Sequence, residues 1–254
     1  MDAMTRKTRQ ALLALALAFA SGAALASGGS GGLELPPARY DLENTPSLQR
    51  GAKYFVNYCL GCHSLNYVRY QRLGQDLGIS DAQIDDLLFT AEKSTEMMRI
   101  AMPALDAERW FGRTPPDLSL TARARGGDWI FNYLRTFYLD PKRPFGVNNA
   151  LLPTASMPHV LAELQGYQRA VYELETDVLG NDHEVLKRFE PVTPGKLSAA
   201  EYDAVARDLA NFLVYVSEPA QLQRMHLGFG VLFFLAVFFL LAYFLKREYW
   251  NDVH

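Results

Sequence analysis

Apolar side chains follow three rhythms along this chain. From about Pro46, Leu48, Ala52, Phe55 and Cys59 recur at intervals of four, three and four, which predicts an amphipathic helix with one buried stripe. Gly51, one turn before Phe55, leaves room there for a second helix to approach closely. A second helical face, Tyr202, Val205, Leu209, Phe212 and Val216, begins just after Ser198-x-x-Glu201. That tetrad is a capping box, in which each side chain satisfies the other residue's backbone N–H. Between these helices the chain is punctuated by Pro103, Pro115, Pro116, Pro141, Pro144, Pro153 and Pro158. The middle therefore reads as short helices and long loops, with no convincing alternating strand.

The third rhythm is unbroken. Met225–Leu245 carries no formal charge, and at about 1.5 Å per residue it spans about 30 Å, a hydrocarbon core's thickness. Pro219 separates it from the preceding helix, Lys246 and Arg247 follow it, and Tyr243, Tyr249 and Trp250 lie near its end; this is the pattern of a single anchor with a cytoplasmic C-terminus. At the other end, Arg6, Lys7 and Arg9 precede an apolar stretch over 11–20 and the small-residue site Ala24-Leu25-Ala26, as in a cleaved secretory signal. The expected organisation is a signal over 1–26, a flexible linker and arm over 27–45, and an exported domain over 46–217. An anchor over 218–247 and a tail over 248–254 complete it. A bacterial inner membrane, with the domain on the periplasmic side, is the expected location.

Composition narrows the class. Of 254 residues, 49% are hydrophobic and 21% charged, which excludes a disordered chain and a multi-span membrane protein. The formal charge is −3, and loss of residues 1–26 makes it more negative, so no nucleic-acid partner is expected. Acidic residues gather at Asp81, Asp85, Asp86 and Glu92, and again at Glu173, Glu175, Asp177, Asp182 and Glu184. Such clusters are either ordinary solvated surface or an attraction for a basic soluble partner.

The chemistry concentrates in VNYCLGCHSLNY, where Cys59 and Cys62 are the only cysteines and His63 follows directly. A redox dithiol of the thioredoxin type needs a strand before its cysteines, and here the preceding periodicity is helical. A structural zinc site needs four ligands, and His159 and His183 lack the spacing to complete one. A disulfide closing so small a loop constrains the unfolded chain little. Covalent haem attachment accounts for all three residues: two thiols add to the two vinyl groups of one porphyrin, and the adjacent imidazole binds iron. Met97, Met98, Met102, Met157, His159 and His183 are candidates for the opposite face. Met157 stands above them because PTASMPHV is a proline-flanked loop able to lay a thioether across a ring, with Met102, also followed by proline, as its competitor. A Met/His pair raises the reduction potential and closes the iron to exogenous ligands, which suits electron transfer.

Cys59-x-x-Cys62-His63, Pro115-Pro116-Asp117-Leu118-Ser119, Arg123-x-Arg125-Gly126-Gly127, Met157-Pro158 and Ser217-Glu218-Pro219 occur in an order that resembles the cytochrome c1 family over roughly residues 46–247. The resemblance implies a mainly α, cytochrome c-like helical haem domain with long loops and one C-terminal transmembrane helix. It implies one haem c held covalently by Cys59 and Cys62, with His63 and Met157 as iron ligands. Arg125 would lie by a propionate, and Pro116, within PPDLS, would pack along the porphyrin, with Trp129 able to cover it. The expected partners are cytochrome b and the Rieske iron–sulfur subunit of a bc1 complex, a soluble or membrane-bound cytochrome c as acceptor, and the lipid bilayer. The chain would be the electron-transfer subunit of a quinol–cytochrome c reductase, with no bond-breaking residue of its own. The alternatives are a tethered cytochrome shuttle outside such a complex, or a haem enzyme or sensor with an open iron site.

Overall fold

The computed structural model describes residues 35–177 and 180–251; the expected signal, residues 27–34 of the linker and arm, and the last three residues of the tail lie outside them. The helices are Thr45–Tyr58 (α1), Tyr70–Leu77 (α2), Asp81–Leu87 (α3), Ala104–Phe111 (α4), Thr121–Arg125 (α5), Gly127–Arg135 (α6), Ala162–Gln165 (α7), Ala199–Ser217 (α8) and Gln221–Tyr249 (α9). Three two-stranded antiparallel sheets join Leu65–Arg69 (β1) to Met97–Met98 (β2), Phe137–Leu139 (β3) to Val147–Asn149 (β4), and Gly166–Thr176 (β5) to Asp182–Pro194 (β6). The fold is helical, as expected.

Its frame is the packing of α1 on α8. Leu48, Ala52 and Phe55 of α1 and Tyr202, Val205, Leu209, Phe212 and Val216 of α8 are buried in one core, and the Phe55 and Phe212 rings lie 5.6 Å apart. The predicted capping box starts α8, with Ser198 Oγ accepting from the Glu201 N–H and Glu201 accepting from the Ser198 N–H at 2.9 Å. Beside the apolar seam, the buried Asp208 carboxylate accepts from Ser47 Oγ at 2.6 Å and from Arg50 Nε at 2.6 Å. The Arg50 guanidinium is raised above its ordinary value, first by that hydrogen bond. A buried carboxylate so satisfied fixes the crossing, because losing either partner leaves a charge stranded.

α6 packs against the other side of α8. Tyr202 Oη donates to the Leu134 carbonyl at 2.7 Å, and Arg135 pairs with Asp203 at 2.5 Å. Residues 35–44 lie across both helices, with the Ala38 N–H donating to Asp128 and Arg207 Nε donating to the Ala38 carbonyl, each at 2.8 Å. α9 follows α8 after a short break at Pro219, contains no buried residue, and is long and apolar enough to cross a bilayer. Glu218, at the junction, pairs at 2.6 Å with both Arg123 of α5 and Arg224 of α9.

The strands overturn one expectation. Over β5, Tyr172, Glu173, Leu174 and Glu175 do alternate, but all four are exposed, and in the outer half of the ribbon only Val185 of β6 is buried, so the alternation on β5 marks no buried side and carries little hydrophobic signal. A lone two-stranded ribbon is marginal in water. This one is docked at its base: Gln168 Nε2 donates to the Arg135 and Phe137 carbonyls at 2.8 Å each, and Tyr172 Oη meets Tyr138 Oη at 3.3 Å. Farther out, Glu173 pairs with Arg188 and Glu175 with Lys187. The second acidic cluster is thus partly neutralised within the hairpin.

The α1–α8 crossing sets a test. A Cβ at Gly51 would stand 2.2 Å from the Asp208 carbonyl oxygen and 2.6 Å from Phe212 Cβ. Gly51→Ala is expected to lower stability by about 1–3 kcal/mol through overpacking, measured as a drop in the thermal unfolding midpoint.

Candidate functional site

α1 runs directly into the cysteine turn. The Cys59 N–H donates to the Phe55 carbonyl at 2.8 Å, and the N–H groups of Cys62 and His63 both return to the Cys59 carbonyl, at 3.0 and 2.8 Å. Both thiols are free and half-buried. Burial, with the Cys62 thiol adding to it, pushes Cys59 up to about 12, and burial raises Cys62 as well. A helix precedes the pair, as the periodicity predicts, so the strand that a thioredoxin-type site needs is absent here. Among the described residues no group of three or more His, Cys, Asp or Glu side chains is arranged to hold a metal ion.

The PPDLS segment locks the next five residues in place. His63 Nδ1 lies 2.8 Å from the Pro116 carbonyl oxygen, which can only accept, so Nδ1 carries the proton and Nε2 keeps its lone pair. Burial is the main influence on this imidazole and lowers its proton affinity. The Leu118 N–H donates to the Ser64 carbonyl at 3.0 Å, the Asn66 N–H to Asp117 Oδ2 at 2.8 Å, and the Tyr67 N–H to Ser119 Oγ at 3.2 Å. Asp117 Oδ1 also accepts from the Ser119 N–H at 2.9 Å, and Ser64 Oγ accepts from the Ile100 N–H at 3.0 Å. One carboxylate therefore holds two backbone donors in separate parts of the chain. Sequence reasoning singled out PPDLS as a wall and missed this role of Asp117 and Ser119. The Asp-x-Ser spacing, which permits a local side-chain-to-backbone turn, was the available signal.

A second group assembles along α5 and α6. The Arg125 guanidinium lies 5.1 Å over the Trp129 ring, Trp129 stacks on Tyr133 at 4.9 Å, and Tyr133 Oη donates to Met157 Sδ at 3.6 Å. Phe137 meets Tyr133 edge-on at 5.2 Å and stacks on His159 at 5.1 Å. Burial pushes His159 down to about 4, against the opposing pull of the Gly166 backbone and Gln165 side chain. The two arginines of Arg123-x-Arg125 have separate surroundings: Arg123 pairs with Glu218, whereas Arg125 has no carboxylate partner among the described residues. The close approach of α6 to α8 explains the second glycine that follows, since a Cβ at Gly127 would stand 2.6 Å from the Tyr40 ring and 2.8 Å from Val214.

Among the other ligand candidates, Met98 is fully buried in the core on β2, opposite Leu65. His183 is exposed on β6 opposite Glu175. The two functional groups meet through the core, against which Cys59 and Leu118 pack from one group and Trp129 and Tyr133 from the other.

The sequence pattern of the Cytochrome C1 family matches residues 38–165 and 191–253. The chain belongs to the cytochrome c1 family. It is 51% identical to "Cytochrome c1" of Allochromatium vinosum, over 97% of this chain and 100% of that one. Identity is 45% to "Ammonia monooxygenase gamma subunit" of Nitrosomonas europaea, over 87% and 90%. It is 27% to "Cytochrome b/c1" of Bradyrhizobium diazoefficiens, over 82% of this chain and 33% of that one.

Family membership makes this an electron-transport haem protein of the bc1 type, and α9 fits the single-pass membrane anchor that goes with it. A c-type haem is the implied cofactor. The residue types present suit it: two free thiols at a helix end, an imidazole whose Nδ1–H is committed elsewhere, and a thioether are the kinds of group that attach a c-type haem and bind its iron. The family match leaves out 166–190, which is most of the β5–β6 hairpin.

The clamp generates a prediction. Asp117→Ala leaves the Asn66 and Ser119 N–H groups without their acceptor, at about 1–3 kcal/mol for a buried donor. The thermal midpoint of the full chain is expected to fall clearly, and Asp117→Asn, which keeps one acceptor oxygen, to fall less.

Proposed function

We propose that the chain is the c1 subunit of a bc1 complex that takes one electron at a time from a Rieske iron–sulfur protein and passes it to a cytochrome c. The observation that carries this reading is the His63–Pro116 hydrogen bond. It leaves Nε2 as the imidazole nitrogen with the available lone pair, on a residue directly after the two free thiols in a family of haem proteins. The iron of a bound haem supplies the one-electron change. Everything else is positioning by this chain.

In this reading Cys59 and Cys62 tether one haem through two thioethers. His63 Nε2 and Met157 Sδ would be the two side-chain atoms that hold its iron. The Pro116 carbonyl holds the imidazole plane and strengthens its donation to the metal by accepting the Nδ1 proton. A Met/His pair closes the iron to outside ligands and raises its potential. Arg125, free of any carboxylate partner, is available for a propionate through a charge-assisted fork, with Trp129 beneath its guanidinium. The haem domain lies on the periplasmic face of a bacterial inner membrane, and Lys246 and Arg247 mark the cytoplasmic end of α9.

Cytochrome b and the Rieske protein are the proposed neighbours in the membrane. A relative named for both cytochrome b and c1 supports the first of these. The Nitrosomonas relative is named as part of a different assembly, so the company this chain keeps is worth a direct measurement. Tagged full-length chain purified from its membrane should bring down cytochrome b and a Rieske protein; recovery as an active monomer without either would refute the assembly.

The ligand assignment is tested by redox titration with optical spectra. Met157→Leu should lower the midpoint potential by a sizeable part of the ~0.8 V range that axial ligands set and let the reduced protein bind carbon monoxide. An unchanged potential would move the assignment to Met102.

A further inference from the structure

Tyr133 of α6 and Met157 of the proline-flanked loop meet through their side chains. Tyr133 Oη donates to Met157 Sδ at 3.6 Å, and the sulfur is the partner this hydroxyl finds among the described residues. Thioethers are weak acceptors, so a half-buried phenol aimed at one requires an explanation. The aim is held from several sides. Trp129 stacks on the phenol ring at 4.9 Å with planes 14° apart, and Phe137 meets it edge-on at 5.2 Å.

The two partners are also indexed to each other through the backbone. The fully buried Asn149 donates from Nδ2 to the Tyr133 carbonyl at 2.7 Å. Its Oδ1 accepts from the Leu151 N–H at 2.9 Å and the Leu152 N–H at 3.3 Å, at the start of the loop that carries Met157. One side-chain amide therefore ties the residue bearing the donor to the loop bearing the acceptor. The link sets the backbone that carries the phenol against the start of the loop that carries the thioether.

We propose that Tyr133 is a positioning residue for the Met157 thioether, orienting its sulfur toward the metal and raising the reduction potential. This rests on Met157 being the axial ligand. A thioether sulfur has two lone pairs. A hydrogen bond to one directs the other, and it withdraws electron density from the sulfur. The oxidised metal depends more on that donation than the reduced one, so weakening it favours the reduced state. The hydrogen bond also holds the sulfur in place against competing ligands.

The test uses full-length holoprotein carrying Tyr133→Phe, which keeps the ring and its stacking. The sulfur-to-iron charge-transfer absorption of the oxidised protein should persist, while the midpoint potential falls. Affinity for added imidazole should rise roughly threefold to tenfold, the worth of one ordinary hydrogen bond. As a second variant, 3-fluorotyrosine placed at 133 gives a stronger donor of nearly the same shape. It should shift the potential in the opposite direction, above wild type, which a packing role would not do, and it decides the matter even if the Phe variant fails to accumulate. Charge-transfer absorption retained with potential and imidazole affinity unchanged in both variants overturns the role of Tyr133 alone. Absence of that absorption from the wild type overturns Met157 ligation, and this proposal with it.

Discussion

The hydrogen bond from the His63 imidazole to the Pro116 carbonyl fixes which nitrogen can bind a metal, and the surrounding structure keeps that choice unchanged. A histidine directly after a helix-ending turn would otherwise rotate freely. Here the acceptor is a carbonyl of a doubly proline-stiffened segment, and that segment is tied to residues 64–67 by Leu118, Asp117 and Ser119. The bonds share one geometry, so shifting any of them tilts the ring. Tuning of this kind works through orientation and local charge, with no further metal ligand involved.

The larger elements serve the same end. α1 delivers the cysteines, α6 delivers Trp129 and Tyr133, and α8 is the surface on which both helices rest. Close approach at Gly51 and Gly127 sets how near they come. Both functional groups thus take their positions from a common helix. Glu218 extends this arrangement toward the membrane by holding an arginine from the arginine-glycine segment and another from α9.

What the sequence revealed followed from how local each signal is. The α1 and α8 stripes, the capping box, the break at Pro219 and the apolar span are patterns within one element, and all were legible. The thiol–imidazole motif, read together with the signal and the apolar span, pointed to the haem that the family implies. Asp117 showed only the local half of its clamp, the turn with Ser119, because its other partner, Asn66, lies about fifty residues earlier in the chain. Tyr133 and Asn149 were unreadable because a tyrosine and an asparagine carry no pattern that announces what they touch. The β5–β6 ribbon escaped because charged residues on both outer faces erase the contrast that identifies a strand.

The manner in which that ribbon joins the body has a consequence for its history. Gly166 pairs with Pro194 at its base. Just inside this pair, the Lys196 N–H donates to the Glu163 carbonyl at 2.9 Å and the Leu197 N–H to the Leu164 carbonyl at 3.1 Å. The two flanking strands of chain are thus already in register before the ribbon begins. A segment whose ends meet in this way can lengthen, shorten or vanish between lineages while its neighbours keep their places. The haem domain can therefore acquire a lineage-specific outer surface at the far end of the ribbon, while its base, where Tyr167 meets His159, stays with the methionine loop.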